Sequence, residues 1–349
     1  MKKHMSIALI LVLIATALFG CSQPQPTEQT PPEAEQPQST NGEYPAKNIS
    51  GIVQWGAGGG TDSLMRPLAS LAEKELGVSI VVENKTGGTG SIATQYVHDA
   101  AADGYTLLMG AENPQLYTML EIIDLTYADF EPVFVIGDET VGVVVGENSA
   151  YNSVTELIDA ALAKPGELTV ATTGAGGLPW TVTSYLTAIT GATFTQVPYD
   201  SDATARTAVI TGECDFTIAK VQSALEAHNA GDLKYISMLS LEKVEVLADI
   251  PLITDEYPAF SEYLPWGPFY GIFVKSETDP AIVETLATAF ETAFNDPTYQ
   301  NVLKQFNINP MGLTGDGAKE FLKTWQVNTA DALYKAGAIT KSPEELGIK

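Results

Sequence analysis

Three consecutive glycines follow the first strand-like run of the chain and precede a helical pattern. They lie within the stretch Gly56–Asp62, directly after the apolar run 52–55. Because glycine has no Cβ, the backbone there can approach a ligand closely and point successive N–H groups at it. Thr61 or Asp62 can begin the helix as an N-cap, and the helix dipole adds about half a positive charge at that end. A strand, a glycine loop and a helix start in this order favour an anion-binding loop.

The same arrangement occurs twice more along the chain. A strand at 79–82 leads into the glycine loop 83–91, and a strand at 168–171 leads into the loop 172–177. Such loops gather beyond the carboxyl ends of the strands in an open α/β sheet, where ligands bind. Each loop alone is also compatible with a simple tight turn.

Residues 88–93 also fit the dinucleotide pattern G-x-G-x-x-A, which is a weak signal by itself. The secretory address described below disfavours binding of a soluble redox cofactor.

Short β-like runs alternate with helical patterns from Ile52 onward, which predicts an α/β chain with parallel sheets. A chain of this length exceeds one ordinary core, so two domains are expected. The pattern restarts near 146–153, and the run 270–274 looks like a return to the first domain. We therefore predict one lobe from residues 44–143 plus 246–349 and a second from 144–245, with a cleft between them.

The first twenty residues have the pattern of a secretory signal. Lys2 and Lys3 precede an apolar run from Ile7 to Phe19, and the segment ends in Leu18–Cys21, which resembles a bacterial lipobox. The alternative is a transmembrane anchor, but about 13 apolar residues are fewer than the roughly 20 needed to span a bilayer. We expect residues 1–20 to be removed, Cys21 to be lipidated, and residues 21–43 to be a disordered tether. The folded part would then be extracytoplasmic, in a periplasm or at an outer cell surface, and anchored to the membrane by lipid.

The charge and the reactive residues exclude several functions. The formal net charge is −25, or about −27 without the signal segment, and nucleic-acid binding needs a basic face. Cys214 is the remaining cysteine after Cys21 and is predicted to be buried and inert. His98 and His228 have no metal-ligand spacing. We therefore predict no metal, no cofactor, no catalytic residue and no nucleic-acid partner.

Several ordered motifs resemble those of tripartite tricarboxylate transporter substrate-binding proteins, from about Tyr44 to the C-terminus. The motifs that carry this resemblance are Tyr44–Lys47, Gly58–Asp62, Val82–Asn84, Asp103–Leu107, Val197–Tyr199, Gly212–Asp215 and Ala230–Lys234.

The resemblance implies a two-lobed periplasmic-binding-protein fold, type II-like, with a ligand cleft between lobes that close by a hinge movement. It implies a small carboxylate ligand, such as a di- or tricarboxylate, an acidic amino acid or an aromatic acid. It also implies delivery to a permease made of a large and a small membrane subunit, by a receptor that we expect to be a monomer.

Carried over by position, the resemblance places the ligand on the three glycine loops. The implied contact residues are Gly58, Gly59, Gly60, Thr61, Asp62, Gly87, Gly88, Thr89, Gly90, Ser91, Thr173, Gly174, Gly176 and Gly177, with Tyr199 and Ser201 nearby. A hydrogen bond to a charged group contributes about 1.5 to 3 kcal/mol, so a few N–H and hydroxyl donors suffice without an arginine.

Charged residues depart from the family pattern at three places. Asp200 precedes Ser201 where members often carry lysine and glycine, Ala219 and Lys220 follow a strand where many carry aspartate, and Glu112 adds an acid near another loop. If Asp200 and Glu112 face the cleft, they disfavour a tricarboxylate and could pair with an ammonium group, whereas Lys220 favours an anion. The alternative for each is a solvated surface charge. We include Glu112 and Lys220 among the candidate ligand contacts.

Three functions fit these features to different degrees. A non-enzymatic uptake receptor is the leading hypothesis. A secreted hydrolase is disfavoured because the chain has no G-x-S-x-G elbow, paired histidines or metal cluster. A sensory receptor that reports the ligand to a kinase would use the same cleft.

Overall fold

The structure, a computed structural model, describes residues 44–348. Two separate β-sheets organise this part of the chain. The predicted signal segment, the lipidation site Cys21 and the tether lie outside these residues. Within them, no helix combines the length and the apolar character needed to cross a membrane.

Eleven strands and ten α-helices are found in this described part. The strands are β1 Ile49–Val53, β2 Ile80–Asn84, β3 Thr106–Ala111, β4 Phe130–Glu139, β5 Val141–Gly146, β6 Thr169–Thr172, β7 Thr195–Pro198, β8 Phe216–Lys220, β9 Leu233–Leu239, β10 Phe269–Lys275 and β11 Ile308–Leu313. The helices are α1 Gly60–Leu76, α2 Ser91–Asp99, α3 Val154–Ala163, α4 Leu178–Thr190, α5 Asp202–Ile210, α6 Val221–Ala230, α7 Ile253–Glu256, α8 Pro280–Asn295, α9 Pro297–Gln305 and α10 Gly315–Lys335.

Both sheets are mixed rather than parallel. The first has the strand order β11-β4-β10-β3-β1-β2, with β10 antiparallel to both β3 and β4. The second has the order β7-β6-β8-β5-β9, with β5 antiparallel to both β8 and β9. The edge strand β11 is also antiparallel to its neighbour β4. The prediction of parallel sheets was therefore wrong at β5, β10 and β11, of which β5 and β10 enter their sheets from the other sheet and not through a crossover helix.

The chain passes from the first sheet to the second at Thr140, between β4 and β5. The turn signals at 146–153 follow β5, which already belongs to the second sheet. The chain re-enters the first sheet at Phe269, and the preceding α7 packs against β9 and α3. The lobe boundaries at 143/144 and 245/246 stay predictions.

Helix α1 shows why these residues form these elements. Leu64, Leu68, Ala72 and Leu76 are buried at a spacing of four residues, which places them on one face of the helix. Gly77 ends the helix in the left-handed conformation with φ +69, and its N–H donates to a carbonyl of the last turn. The N-cap is Gly59, not Thr61 or Asp62 as predicted, so the helix begins earlier, at Gly60.

Helix α10 packs against both α4 of the second sheet and β4 of the first. Its Trp325 is buried, stacks on Trp266 with ring centroids 5.6 Å apart, and donates from Nε1 to the Gly267 carbonyl at 2.9 Å. One apolar cluster continues from the first sheet to the second through this helix. The core therefore joins the two sheets on the side that carries α10.

Candidate functional site

A cavity of about 620 Å³ lies at the carboxyl ends of β1, β3, β6, β7 and β8, and so takes residues from both sheets. Its lining residues are Trp55, Gly56, Ala57, Gly59, Gly60, Thr61, Thr89, Ala111, Glu112, Asn113, Thr173, Ala175, Gly176, Gly177, Leu178, Asp200, Ser201, Asp202, Lys220 and Tyr270. The volume is within the range of small-molecule sites.

Two loops of identical sequence line the cavity, one from each sheet. We call Gly56–Gly59 and Gly174–Gly177, both Gly-Ala-Gly-Gly, the twin loops. In each, the N–H of the fourth residue donates to the carbonyl of the first at 3.1 Å. The third residue has φ +76 in one loop and +81 in the other, a conformation that favours glycine. The same four residues thus build the same turn on both sides of the cavity.

Each twin loop ends at the N-terminus of a helix that has no side-chain cap. Gly59 and Gly177 are the N-caps of α1 and α4 and carry no side chain that could accept a hydrogen bond. Within residues 44–348, the N–H groups of Gly60, Thr61 and Leu178 find no acceptor. Because the first N–H groups of a helix need partners, these donors are available to an anion in the cavity.

Helix α5 shows the opposite arrangement. Its N-cap Ser201 accepts a hydrogen bond from the Thr204 N–H at 3.2 Å. Ser201 lines the cavity, as predicted, but its hydroxyl is already engaged in capping its own helix.

Asp62 was predicted to contact the ligand, but it does not line the cavity. Its carboxylate is buried and accepts hydrogen bonds from the Gly58 N–H at 2.9 Å, Asn84 Nδ2 at 2.8 Å and Arg66 Nε at 2.9 Å. Burial alone would raise the pKa of Asp62, but the hydrogen bonds from Arg66 and Gly58 outweigh it and lower the pKa. Asp62 therefore holds the first twin loop from behind.

Seven further predicted contact residues also lie off the cavity surface. They are Gly58, Gly87, Gly88, Gly90, Ser91, Gly174 and Tyr199. A Cβ on Gly90 would lie 3.0 Å from the Tyr117 hydroxyl, so this glycine serves packing. Tyr199 turns its hydroxyl to Sγ of Cys214 at 3.4 Å, and Cys214 is buried, as predicted. Of the second glycine loop, Thr89 lines the cavity.

Gln54 fixes the first twin loop relative to its neighbours. This fully buried side chain accepts from the Ala111 N–H at 2.8 Å and donates to Thr94 Oγ1 at 2.8 Å. It thereby ties the end of β1 to the end of β3 and to α2.

A buried ion pair joins the two sheets at the cavity wall. Lys220 Nζ at the end of β8 lies 2.7 Å from Glu139 Oε2 at the end of β4 and donates to the Tyr270 hydroxyl of β10 at 2.9 Å. The Tyr270 hydroxyl also donates to the Glu139 carboxylate. Burial alone would lower the pKa of Lys220, but the charge of Glu139 raises it, so the ammonium stays charged. Lys220 is therefore not a solvated surface charge, which was the alternative interpretation of this residue from the sequence.

Three carboxylates line the same cavity. Glu112 is half-buried just after β3, whereas Asp200 and Asp202 are exposed at the cavity edge. Burial raises the pKa of Glu112, although Lys220 acts in the opposite direction. Glu112 and Asp200 therefore both line the cavity, although the exposed Asp200 also fits the alternative of a solvated surface charge. In the described part of the chain, no three His, Cys, Asp or Glu side chains are grouped as metal ligands.

Sequence reasoning missed several cavity residues. The predicted contacts of the first loop began at Gly58, so Trp55, Gly56 and Ala57 were omitted, although the repeated Gly-Ala-Gly-Gly is visible in the sequence. Asn113 follows Glu112 and could have been included with it. Tyr270 could not have been found, because it reaches the cavity through the antiparallel insertion of β10.

Comparisons with known proteins agree with this architecture. Residues 64–339 match the family model described as Tripartite tricarboxylate transporter family receptor. The chain is 27% identical over 303 residues to Protein BugT of Bordetella pertussis, covering 85% of this chain and 92% of that protein.

Two solved structures are similar in fold. The periplasmic binding protein BugD superposes with a TM-score of 0.71 at 24% identity, covering 85% of this chain and all of that one. An R. palustris protein solved with adipate superposes with a TM-score of 0.73 at 23% identity, covering 84% of this chain and 99% of that one. At these identities the likeness establishes the two-lobed fold.

Proposed function

The chain belongs to the tripartite tricarboxylate transporter receptor family, and from this membership we propose that it binds a small carboxylate in the cavity and delivers it to a tripartite permease. The predicted family and the predicted two-lobed fold are confirmed. The identity of the ligand, the lipid anchor and the permease partners belong to the proposal.

The observation that carries the proposal is the pair of twin loops facing one cavity with unpaired N–H donors. A carboxylate can accept several hydrogen bonds, and each one to a charged group contributes about 1.5 to 3 kcal/mol. Three to five such bonds approach or exceed the roughly 8 kcal/mol that micromolar binding requires, before the costs of association. The adipate in the R. palustris neighbour is a small acid of this class.

Closure of the two lobes around the ligand is the second part of the proposal. We place the boundary between them at Thr140, where β4 passes into β5. The Glu139–Lys220 pair lies beside this crossover and spans both sheets. Binding to both twin loops at once would favour the closed arrangement, since each loop belongs to a different sheet.

Delivery to the membrane is the third part. We propose that lipidated Cys21 anchors the receptor on the extracytoplasmic side and that residues 21–43 act as a tether. The monomeric, loaded receptor would then dock on the large and small permease subunits.

Thermal unfolding of residues 44–349 with a panel of acids tests the proposed function. The panel contains citrate, L-malate, adipate, benzoate, L-aspartate, L-asparagine and 6-aminohexanoate, and the protein is first unfolded, dialysed and refolded to remove carried-over ligand. A ligand at 100 times its dissociation constant adds about 2.7 kcal/mol, which raises the midpoint by about 5 to 11 °C. No shift with any acid would contradict the proposal, and conversion of a bound acid, followed by NMR, would indicate an enzyme instead.

A further inference from the structure

The charges that line the cavity do not balance. Glu112, Asp200 and Asp202 are acidic, whereas Lys220 is the basic lining residue and is already paired with Glu139 at 2.7 Å. Within residues 44–348, none of the three lining acids forms a salt bridge. An anion held by the twin loops would therefore also meet unneutralised carboxylates.

Glu112 occupies the deeper part of this acidic region. It follows β3 directly, and its carboxyl is removed from water by the surrounding residues, which raises its pKa. Lys220 lowers the pKa of Glu112, whereas the acids Glu139 and Asp202 raise it by smaller amounts, so burial decides the direction. A positive group in the cavity would relieve both the burial and the repulsion, since an opposite charge nearby favours the ionised carboxylate.

Glu112 has no partner of its own within residues 44–348. It lines the cavity, is half-buried, and its carboxylate forms neither a salt bridge nor a hydrogen bond to another side chain. Buried polar groups almost always have a partner, so an unpaired carboxylate at a cavity wall indicates a donor that comes with the ligand. An ammonium group has three N–H donors and no acceptor, which matches such a carboxylate.

We propose that Glu112, Asp200 and Asp202 form a cation-binding region of the cavity, so that the ligand is an ammonium-bearing monocarboxylate of net charge zero or +1. This inference rests on the proposed function, because the carboxylate end is assigned to the twin loops. The ammonium end lies against Glu112, with Asp200 and Asp202 at the cavity edge. Di- and tricarboxylates bind weakly, since their second charged end meets these acids.

Isothermal titration with two matched ligand series tests the proposal. L-malate, L-aspartate and L-asparagine share one skeleton, and aspartate carries an ammonium in place of the malate hydroxyl. Adipate and 6-aminohexanoate are of similar length and differ at one end, which is a carboxylate or an ammonium. We expect asparagine to bind at least tenfold more tightly than malate, and 6-aminohexanoate at least tenfold more tightly than adipate.

Variants then assign the preference to the acids. Glu112→Gln and Asp200→Asn keep the shape of each side chain and remove its charge, and each is expected to reduce the preference for the ammonium member at least fivefold. Glu147→Gln, which neutralises an exposed acid away from the cavity, is the matched control and should leave the preference unchanged. Circular dichroism melting confirms that each variant is folded.

The outcomes separate the two proposals. Tighter binding of malate or adipate than of their ammonium counterparts would overturn the cation-binding region and leave the carboxylate receptor standing. An ammonium preference that survives both substitutions would also overturn it. Failure of every acid and amino acid to bind would overturn the proposed function itself.

Discussion

Replacing Gly59 with serine should weaken ligand binding without destabilising the fold. Gly59 is the N-cap of α1, and its φ of −71 and ψ of 169 already suit a serine cap. In α3 and α5, Ser153 and Ser201 accept the N–H three residues later, at 3.1 and 3.2 Å. Serine at position 59 could accept the N–H of Thr61 or of Asp62, the second and third residues of α1. A hydroxyl bonded to the Thr61 N–H would compete with the ligand for that donor.

The expected magnitudes follow from one lost hydrogen bond. A bond to a charged ligand contributes about 1.5 to 3 kcal/mol, so its loss raises the dissociation constant about 10- to 150-fold. The stability should change little, because serine and glycine caps differ by only a few tenths of a kcal/mol.

The control for this substitution is Gly59→Ala. Either new Cβ would lie 3.1 Å from the Gly56 carbonyl oxygen, so alanine reproduces the crowding without the hydroxyl. Isothermal titration with the panel member that binds most tightly measures both variants, and thermal melting follows their stability. Equal affinity of the serine and alanine proteins would refute the assignment of the α1 N–H groups as ligand donors.

Three further predictions concern stability and anchoring. Burial raises the pKa of Asp138 from 3.8 to about 6, so the folded state loses about 3 kcal/mol of stability as the pH rises from below 4 to above 6. Asp138→Asn should therefore be up to about 3 kcal/mol more stable than the wild type at pH 7 and equally stable below pH 4. Urea unfolding at both pH values measures this difference. Lys220→Met leaves buried Glu139 without its partner and should lower the free energy of unfolding by about 3 to 5 kcal/mol in the same assay. The double variant Lys220→Met with Glu139→Gln should recover most of this loss. A double variant as unstable as the single one would contradict the pairing. Cys21→Ser in the full chain should abolish incorporation of radiolabelled palmitate into the protein, and undiminished labelling would rule out lipid anchoring at this residue.

The sequence predicted the glycine loops well because their signal is local. A strand, a run of glycines and a helix start lie within about ten residues of each other, and both twin loops form the expected turns at the cavity. This local pattern does not predict whether the Asp62 carboxylate points into the cavity or away from it. Its carboxylate turns away from the cavity because Arg66 and Asn84, from α1 and β2, supply partners behind the loop.

The residues that depend on long-range topology could not be predicted. Glu139 and Tyr270 meet Lys220 only because β10 inserts between β3 and β4 and thereby brings Tyr270 beside the end of β4. The passage between the sheets has a related cause, since the polar residues Gly137–Thr140 separate two strand-like runs whether those strands share a sheet or not. Sequence patterns identify loops and elements, whereas contacts between the two sheets require the strand order.

A crystal structure of residues 44–349 with the panel member that binds most tightly tests the central claim most directly. We predict that one ligand carboxylate lies between the twin loops, within about 2.7 to 3.2 Å of backbone nitrogens from both α1 and α4, such as those of Thr61 and Leu178. A carboxylate bound to only one loop, or paired with Lys220 in place of Glu139, would contradict the claim.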